Sequence, residues 1–501
     1  VLFRHNLIAN YISQLYATAI GIVMVPLYIQ AMGAEAYGLV GFFAMLQAVF
    51  ALLDLGLTPT LARETARFRG GSVDILDYRR LVRALEGIFV LVAVVAGGLL
   101  FAAAGLIATH WLNAAELPLQ QVQTSIQLIA VIVAMRWMCG LYRGVISGSE
   151  HLVWLSSFNG LIATLRFVAV LPLLILVDAL PVTFFQYQLA IAVLELGGLA
   201  VQAYRLLPAV PPGEKLAWDW RPLFPVIRFA TTIAFTSAVW VVVTQTDKLV
   251  LSRILPLADY GYFTLAVLVA SGVLVISGPV SLAIMPRMSR LEAEGDHDGV
   301  IRIYRQMTQL VTVLAGGAAT TLGLMAEPLL WAWTGDAALA ARTAPVLMLY
   351  ALGNGILAVA GFPYYLQYAK GDLRLHLIGN AIFVVVLLPS IIWAASSYGS
   401  LGAGYTWLAL NALSLVAWLP LVHARFAPGL NAKWYGQDIL AIAGPQLAVA
   451  YAAGRLPAFP ADRLGQFAHV ATVGTLVLVS GIAASSNARA VFAQRLRRRS
   501  A

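Results

Sequence analysis

The chain has 501 residues, of which 60% are hydrophobic and only 11% charged, with a mean hydropathy of +0.83. A water-soluble fold would have to bury nearly all of that surface, so the bilayer must act as its solvent. The formal net charge of +9 sits largely in short connectors between apolar runs, a sign of membrane topology and not of a nucleic-acid partner, and the lone Cys139 excludes an intramolecular disulfide and a Cys/His metal cluster.

A spanning helix needs about 20 mostly apolar residues. Read at that length, the sequence predicts fourteen, at 7–31, 38–62, 84–109, 121–142, 153–177, 181–204, 227–251, 261–285, 306–327, 344–366, 375–397, 401–423, 438–455 and 465–484. The runs are continuous, without the alternation of a β-barrel wall. The first is too long for a cleaved signal peptide and has no small-residue cleavage site, so it is expected to remain a membrane helix. The connectors are short, so no soluble domain is expected.

Most of the 32 Lys and Arg residues fall in alternate connectors, with Arg143 assigned to the connector after the fourth span. Cytoplasmic loops retain these cations, which places both termini in the cytoplasm. Landmarks recur at a spacing of about 223 residues: Tyr37-Gly38 and Tyr260-Gly261, Arg63 and Arg287, Tyr78-Arg79 and Tyr304-Arg305, Tyr142 and Tyr365, Gly148 and Gly371. The expected fold is therefore an all-α integral membrane protein of two parallel-repeat six-helix bundles, at 1–204 and 227–423. A Pro-rich cytoplasmic linker at 205–226 joins them, two extra helices occupy 424–484, and a basic cytoplasmic tail occupies 485–501. Transporters with parallel repeats place the substrate at the repeat interface.

Several runs carry a family likeness: Arg4-His5-Asn6, Pro26-Leu27-Tyr28, Gly33 through Gly38, Gln245 through Arg253 ahead of Tyr260-Gly261, and Pro286-Arg287-Met288-Ser289. In these the chain resembles polysaccharide-type lipid-linked oligosaccharide flippases of the multidrug/oligosaccharidyl-lipid/polysaccharide exporter superfamily. The resemblance implies two bundles that alternate between inward and outward openings. It also implies export of a polyprenyl-diphosphate-linked oligosaccharide, the repeat unit of O-antigen or exopolysaccharide, across the bacterial inner membrane. It implies no hydrolysis and no cofactor, with membrane lipids, a coupling H+ or Na+ and polysaccharide polymerase machinery as partners.

Such a cargo needs a wet, cationic cleft, because a diphosphate and sugar hydroxyls lose their water in hydrocarbon. Two polar stripes at i+4 spacing offer it: Asn10, Gln14 and Thr18 with Tyr11 in the first span, and Thr232, Thr236, Trp240, Thr244 and Lys248 in the seventh. Asn10, Tyr11, Gln14, Thr236, Trp240 and Thr244 are the candidate sugar contacts. Charges at membrane depth face a cavity or a partner, so Lys248, Arg136, Arg166 and Arg253 are candidates for the diphosphate. Lys248 has a competing assignment as the partner of Asp247, and Arg166 as a residue reached from water. Asp54, Glu195 and Asp247 either couple an ion or form salt bridges. Arg63, Arg67, Arg287 and Arg290 either gather the lipid head group on the cytoplasmic side or simply obey the positive-inside rule. Gly56 with Pro59, and Gly278 with Pro279, are candidate hinges.

A lipid II flippase and a cation-coupled multidrug antiporter of the same superfamily are the alternatives. The antiporter would be expected to carry an acidic pocket. A membrane-bound oligosaccharide polymerase would need catalytic residues in the outer connectors, which are short and nearly free of Arg and His.

Overall fold

A computed structural model of the chain describes residues 2–210, 214, 219, 223–456 and 462–490. Side chains at 2–11, 224–237, 279 and 281–283 are outside this description, so Asn10, Tyr11 and Thr236, like part of the linker and the tail from 491, lie outside the described residues. Among the described residues every element is helical except an isolated bridge between Asn113 and Pro256. The chain divides into two compact units, Val1–Gly261 and Tyr262–Ala501.

The first unit contains α1 (Leu2–Val23), α2 (Val25–Met32), α3 (Ala34–Phe50), α4 (Leu57–Arg69), α5 (Ile75–Ala102), α6 (Ala104–His110), α7 (Leu119–Gly148), α8 (Leu152–Phe167), α9 (Val170–Leu176), α10 (Pro181–Leu206) and α11 (Leu223–Ile254). At its centre is α7, which packs on α3, α4, α5, α6 and α10. The close approach of α4 follows from Gly140, Gly144 and Gly148, one per turn along α7. A Cβ on Gly144 would lie 2.9 Å from the Thr58 carbonyl, and one on Gly140 2.8 Å from Thr58 Oγ1. Small residues at this spacing let membrane helices meet backbone to backbone.

The second predicted span is broken. Leu55 and Gly56 take left-handed backbone angles, φ 46° and 73°, which end a short turn at Ala51–Asp54 and start α4. The helix is thus broken at Gly56, whereas Gly278 and Pro279 lie inside the continuous α12 (Leu257–Ala293). The fourth predicted span also runs on, to Gly148, so Arg143 is a helical residue of α7 and not a connector residue.

The second unit takes in most of α12, then α13 (His297–Val311), α14 (Gly317–Leu324), α15 (Ala326–Thr334), α16 (Ala337–Ala360), α17 (Phe362–Ala369), α18 (Arg374–Leu413), α19 (Leu419–Phe426), α20 (Asn431–Lys433), α21 (Ala441–Gly454) and α22 (Arg463–Ala484). Aspartates set several starts: Asp296 accepts from Gly299 N, Asp336 from Ala338 N and Leu339 N, and Asp462 from Gly465 N. Inside α18, Gly399 has φ 59° and ψ −139°, so this run is two helices joined at a turn, where the sequence breaks between 397 and 401. A buried core of Met288, Tyr304, Val311, Phe362, Leu366 and Trp434 joins α12, α13, α17 and the π-helical turn Trp434–Leu440.

Eleven runs among the described residues are long and apolar enough to cross a membrane, and the longest, Arg374–Phe426, contains the Gly399 turn. Apolar side chains also point outward, with Val94 67%, Leu99 68%, Val385 70% and Leu464 75% exposed. Lipid is the solvent that makes such a surface stable. The chain is a multi-pass membrane protein.

Candidate functional site

Three helices of the first unit carry polar pairs seven residues apart: Arg136 and Arg143 on α7, Asn159 and Arg166 on α8, Gln188 and Glu195 on α10. Seven residues is close to two turns, so each pair shares one face. Where these faces meet they form two polar layers. In the first, Arg136 Nη2 donates to Gln188 Oε1 at 3.2 Å and Gln188 Nε2 donates to the Arg166 carbonyl at 2.9 Å. In the second, Arg143 donates through Nη1 to Asn159 Oδ1 and through Nη2 to Glu195 Oε1, each at 2.6 Å. Glu195 Oε2, 3.6 Å from Arg136 Nε, links the layers.

Both Arg136 and Glu195 are buried. The Arg136 guanidinium lies over the Phe43 ring at 5.3 Å and that of Arg166 over Phe167 at 5.2 Å, contacts that partly replace lost hydration. Three guanidiniums face one carboxylate, a formal excess of two positive charges. Arg136 Nε and Nη1 and Arg166 Nε make no hydrogen bond within the protein. Buried charge without a full set of partners is costly, and membrane proteins retain it mainly where it works on a substrate or ion.

A cavity of about 280 Å³ opens beside the second layer, lined by Ser13 and Gln14 of α1 with Arg143, Asn159, Arg166 and Glu195. Its α1 wall is held to α8 by Ser13 Oγ donating to the Ser156 carbonyl at 2.9 Å and by a 2.7 Å bond between Tyr16 and Thr164. The structure therefore brings together Arg136, Arg166, Glu195 and Gln14 from among the sequence candidates and adds Arg143, Asn159 and Gln188. The sequence reading missed these three, although the seven-residue spacing was there to find them.

Most of the other candidates have local partners. Lys248 Nζ donates to the Thr244 carbonyl at 2.6 Å and to Asp247 Oδ1 at 3.1 Å, with Asp247 itself buried. Thr244 Oγ1 bonds back to the carbonyl of Trp240, whose side chain is 52% exposed. Arg253 lies over Trp111 at 5.4 Å. Asp54 precedes α4 and accepts from Thr58 N at 3.2 Å and Thr58 Oγ1 at 2.6 Å, a capping geometry. Arg67 pairs with Glu64 at 2.9 Å, with Arg63 3.7 Å from the same carboxylate. Arg290 pairs with Glu294 at 2.7 Å, and Arg287 is exposed.

A family model described as polysaccharide biosynthesis protein matches residues 3–292, more than half of the chain. The chain belongs to the polysaccharide biosynthesis protein family. The arginine cluster of this family member lies wholly inside the matched region. Among solved structures the chain is similar to the lipid II flippase MurJ in an inward closed conformation, with a TM-score of 0.72 and 12% identity over 97% of this chain and 98% of that one. An inward-facing multidrug resistance MATE family transporter of the MOP superfamily gives a TM-score of 0.65 and 11% identity over 81% and 95%. A MOP superfamily transporter from Pyrococcus furiosus, whose binding pocket is described as reversed in polarity, gives 0.53 and 11% over 84% and 96%. These likenesses show the fold. No curated protein matches the chain.

Proposed function

We propose that the chain is a flippase. It moves a polyprenyl-diphosphate-linked oligosaccharide repeat unit from the cytoplasmic to the periplasmic leaflet of a bacterial inner membrane, by alternating access of two bundles of fourteen spans in all, with both termini cytoplasmic. The observation that carries this reading is the charge balance of the cluster. Arg136, Arg143 and Arg166 against Glu195 leave two positive charges, and a diphosphate esterified at both ends carries two negative ones. Guanidinium forks suit phosphate oxygens, while Ser13, Gln14 and Asn159 offer hydrogen bonds to sugar hydroxyls. Glu195 also supplies a coupling route: H+ or Na+ at its carboxylate would release Arg143 and strengthen the hold on an anion.

The lipid II flippase reading rests on the same observation, since its cargo shares the diphosphate and differs in the sugar. A cation-drug antiporter is disfavoured by the positive excess. The test is reconstitution in liposomes with a diphosphate-linked oligosaccharide, scored by access of an external sugar-modifying enzyme, with a cationic drug as comparison. Sugar-lipid movement without drug movement supports the proposal. Drug exchange without lipid movement refutes it.

A further inference from the structure

The apolar run Leu152–Leu176 is broken between α8 and α9. Val168 N and Ala169 N both donate to the Thr164 carbonyl, at 2.8 and 3.2 Å, and the next three carbonyls are capped by side chains of other helices. Tyr187 OH donates to the Leu165 carbonyl and Gln188 Nε2 to that of Arg166, each at 2.9 Å, and Tyr28 OH donates to that of Phe167. A carbonyl left without a donor at membrane depth is costly, and here α10 and α2 supply the donors. The end of α8, which carries Arg166, is pinned in this way.

Gln188 does more than cap. Its Oε1 accepts from Arg136 Nη2 at 3.2 Å, and the buried amide fits its two partners only one way round, because a guanidinium only donates and a carbonyl only accepts. One side chain thus ties the Arg136 guanidinium to the backbone of Arg166. In the second unit the corresponding amide bonds locally. At the landmark spacing Val359, Pro389 and Asn411 stand where Arg136, Arg166 and Gln188 stand in the first repeat, and Asn411 Nδ2 donates within its own helix to the Trp407 carbonyl at 2.8 Å. The cross-helix tie accompanies the arginines.

Resting on the diphosphate reading of the cluster, we propose that Gln188 is the positioning residue that gives it a preference for a diphosphate over a monophosphate. A diphosphate has two phosphoryl groups joined through one oxygen, so a second guanidinium helps only where it already stands at the matching place. A monophosphate can be held by one arginine. Placing Arg136 and Arg166 before the cargo arrives removes an ordering cost that only the two-point ligand would meet, and so raises the diphosphate affinity selectively.

The test is the affinity of the purified full chain in detergent for a polyprenyl-diphosphate sugar and for its monophosphate counterpart, in the unaltered chain and in Gln188→Leu. This substitution nearly keeps the side-chain volume and removes both hydrogen bonds. It is expected to lower the ratio of the two affinities about 10-fold, the low end of what a hydrogen bond to a charged group contributes, and to do so through the diphosphate alone. Gln188→Asn keeps an amide too short to reach both partners and serves where Gln188→Leu does not fold, with a fall in the same direction expected. An unaltered chain that binds both lipids equally overturns the diphosphate reading and this proposal with it. A ratio that stays high in both variants, or a parallel loss of both affinities, overturns the positioning role and leaves the diphosphate reading standing.

Discussion

Arg143 Nη2 lies 2.6 Å from Glu195 Oε1, and through this contact α7 and α10 share a charge pair inside apolar sequence. Neither residue is independent of the other. Removing Arg143 takes from the buried Glu195 its hydrogen-bonded cation and leaves the longer 3.6 Å contact to Arg136, and removing Glu195 leaves three guanidiniums without a counter-charge. In a cycle of Arg143→Ala, Glu195→Ala and the double variant, the double variant is expected to lose less stability than the two single losses combined, with a coupling of about 1–3 kcal/mol. Denaturation of the purified protein in detergent reads this directly, and strict additivity would show that the pair contributes nothing.

Gly261 begins the second turn of α12 against α3, where a Cβ would lie 2.7 Å from the Ala34 carbonyl and 3.1 Å from Gly38 N. Gly261→Ala is therefore expected to cost about 1–3 kcal/mol through overpacking. Gly197→Ala meets nothing within 4 Å and is expected to be neutral or slightly stabilising. Melting temperatures of the two variants should move apart.

Asp438 ties Arg305 and Gln309 of α13 to the turn leading into α21, and Gln309 Oε1 in turn accepts from Ser485 Oγ at 2.7 Å, beyond α22. Asp438→Ala leaves Arg305 without its anion, and because that guanidinium still reaches water and Gln437 the expected loss is that of a charge-assisted hydrogen bond, about 1.5–3 kcal/mol. The expected signature is local. Hydrogen exchange should rise across α21 and α22 before it rises in the first unit, and uniform exchange would contradict the clamp.

The distribution of these partners marks what was legible in the sequence. Apolar run length located most of the helices, and the break at Gly399 fell where the runs at 375–397 and 401–423 part. The rule that intramembrane charge is costly flagged Arg136, Arg166, Glu195 and Lys248 alike, and it does not reveal that the first three meet in one cluster while Lys248 pairs with its neighbour Asp247. Arg143 was lost for a simpler reason. Hydropathy falls off after Tyr142, while backbone hydrogen bonding continues the helix to Gly148. Which helices lie side by side follows from packing such as that of Gly144 on Thr58, and no run length encodes it.

Asp54 illustrates the same limit. Its oxygens cap α4 through Thr58, so Asp54→Ala is expected to cost about 1 kcal/mol while leaving any H+ or Na+ dependence of transport intact. Abolished ion dependence at normal stability would instead make Asp54 the coupling group, and paired measurements of melting and ion-driven flipping distinguish the two.

In the proposed function, Arg136, Arg143 and Arg166 hold a diphosphate. The most direct measurement is the affinity of the purified protein for a polyprenyl-diphosphate sugar against its monophosphate counterpart, in the unaltered chain and in Arg166→Gln. Clear preference for the diphosphate, lost in Arg166→Gln while a normal melting temperature is kept, is the expected result. Equal affinity for both lipids, or a preference that survives Arg166→Gln, would contradict it.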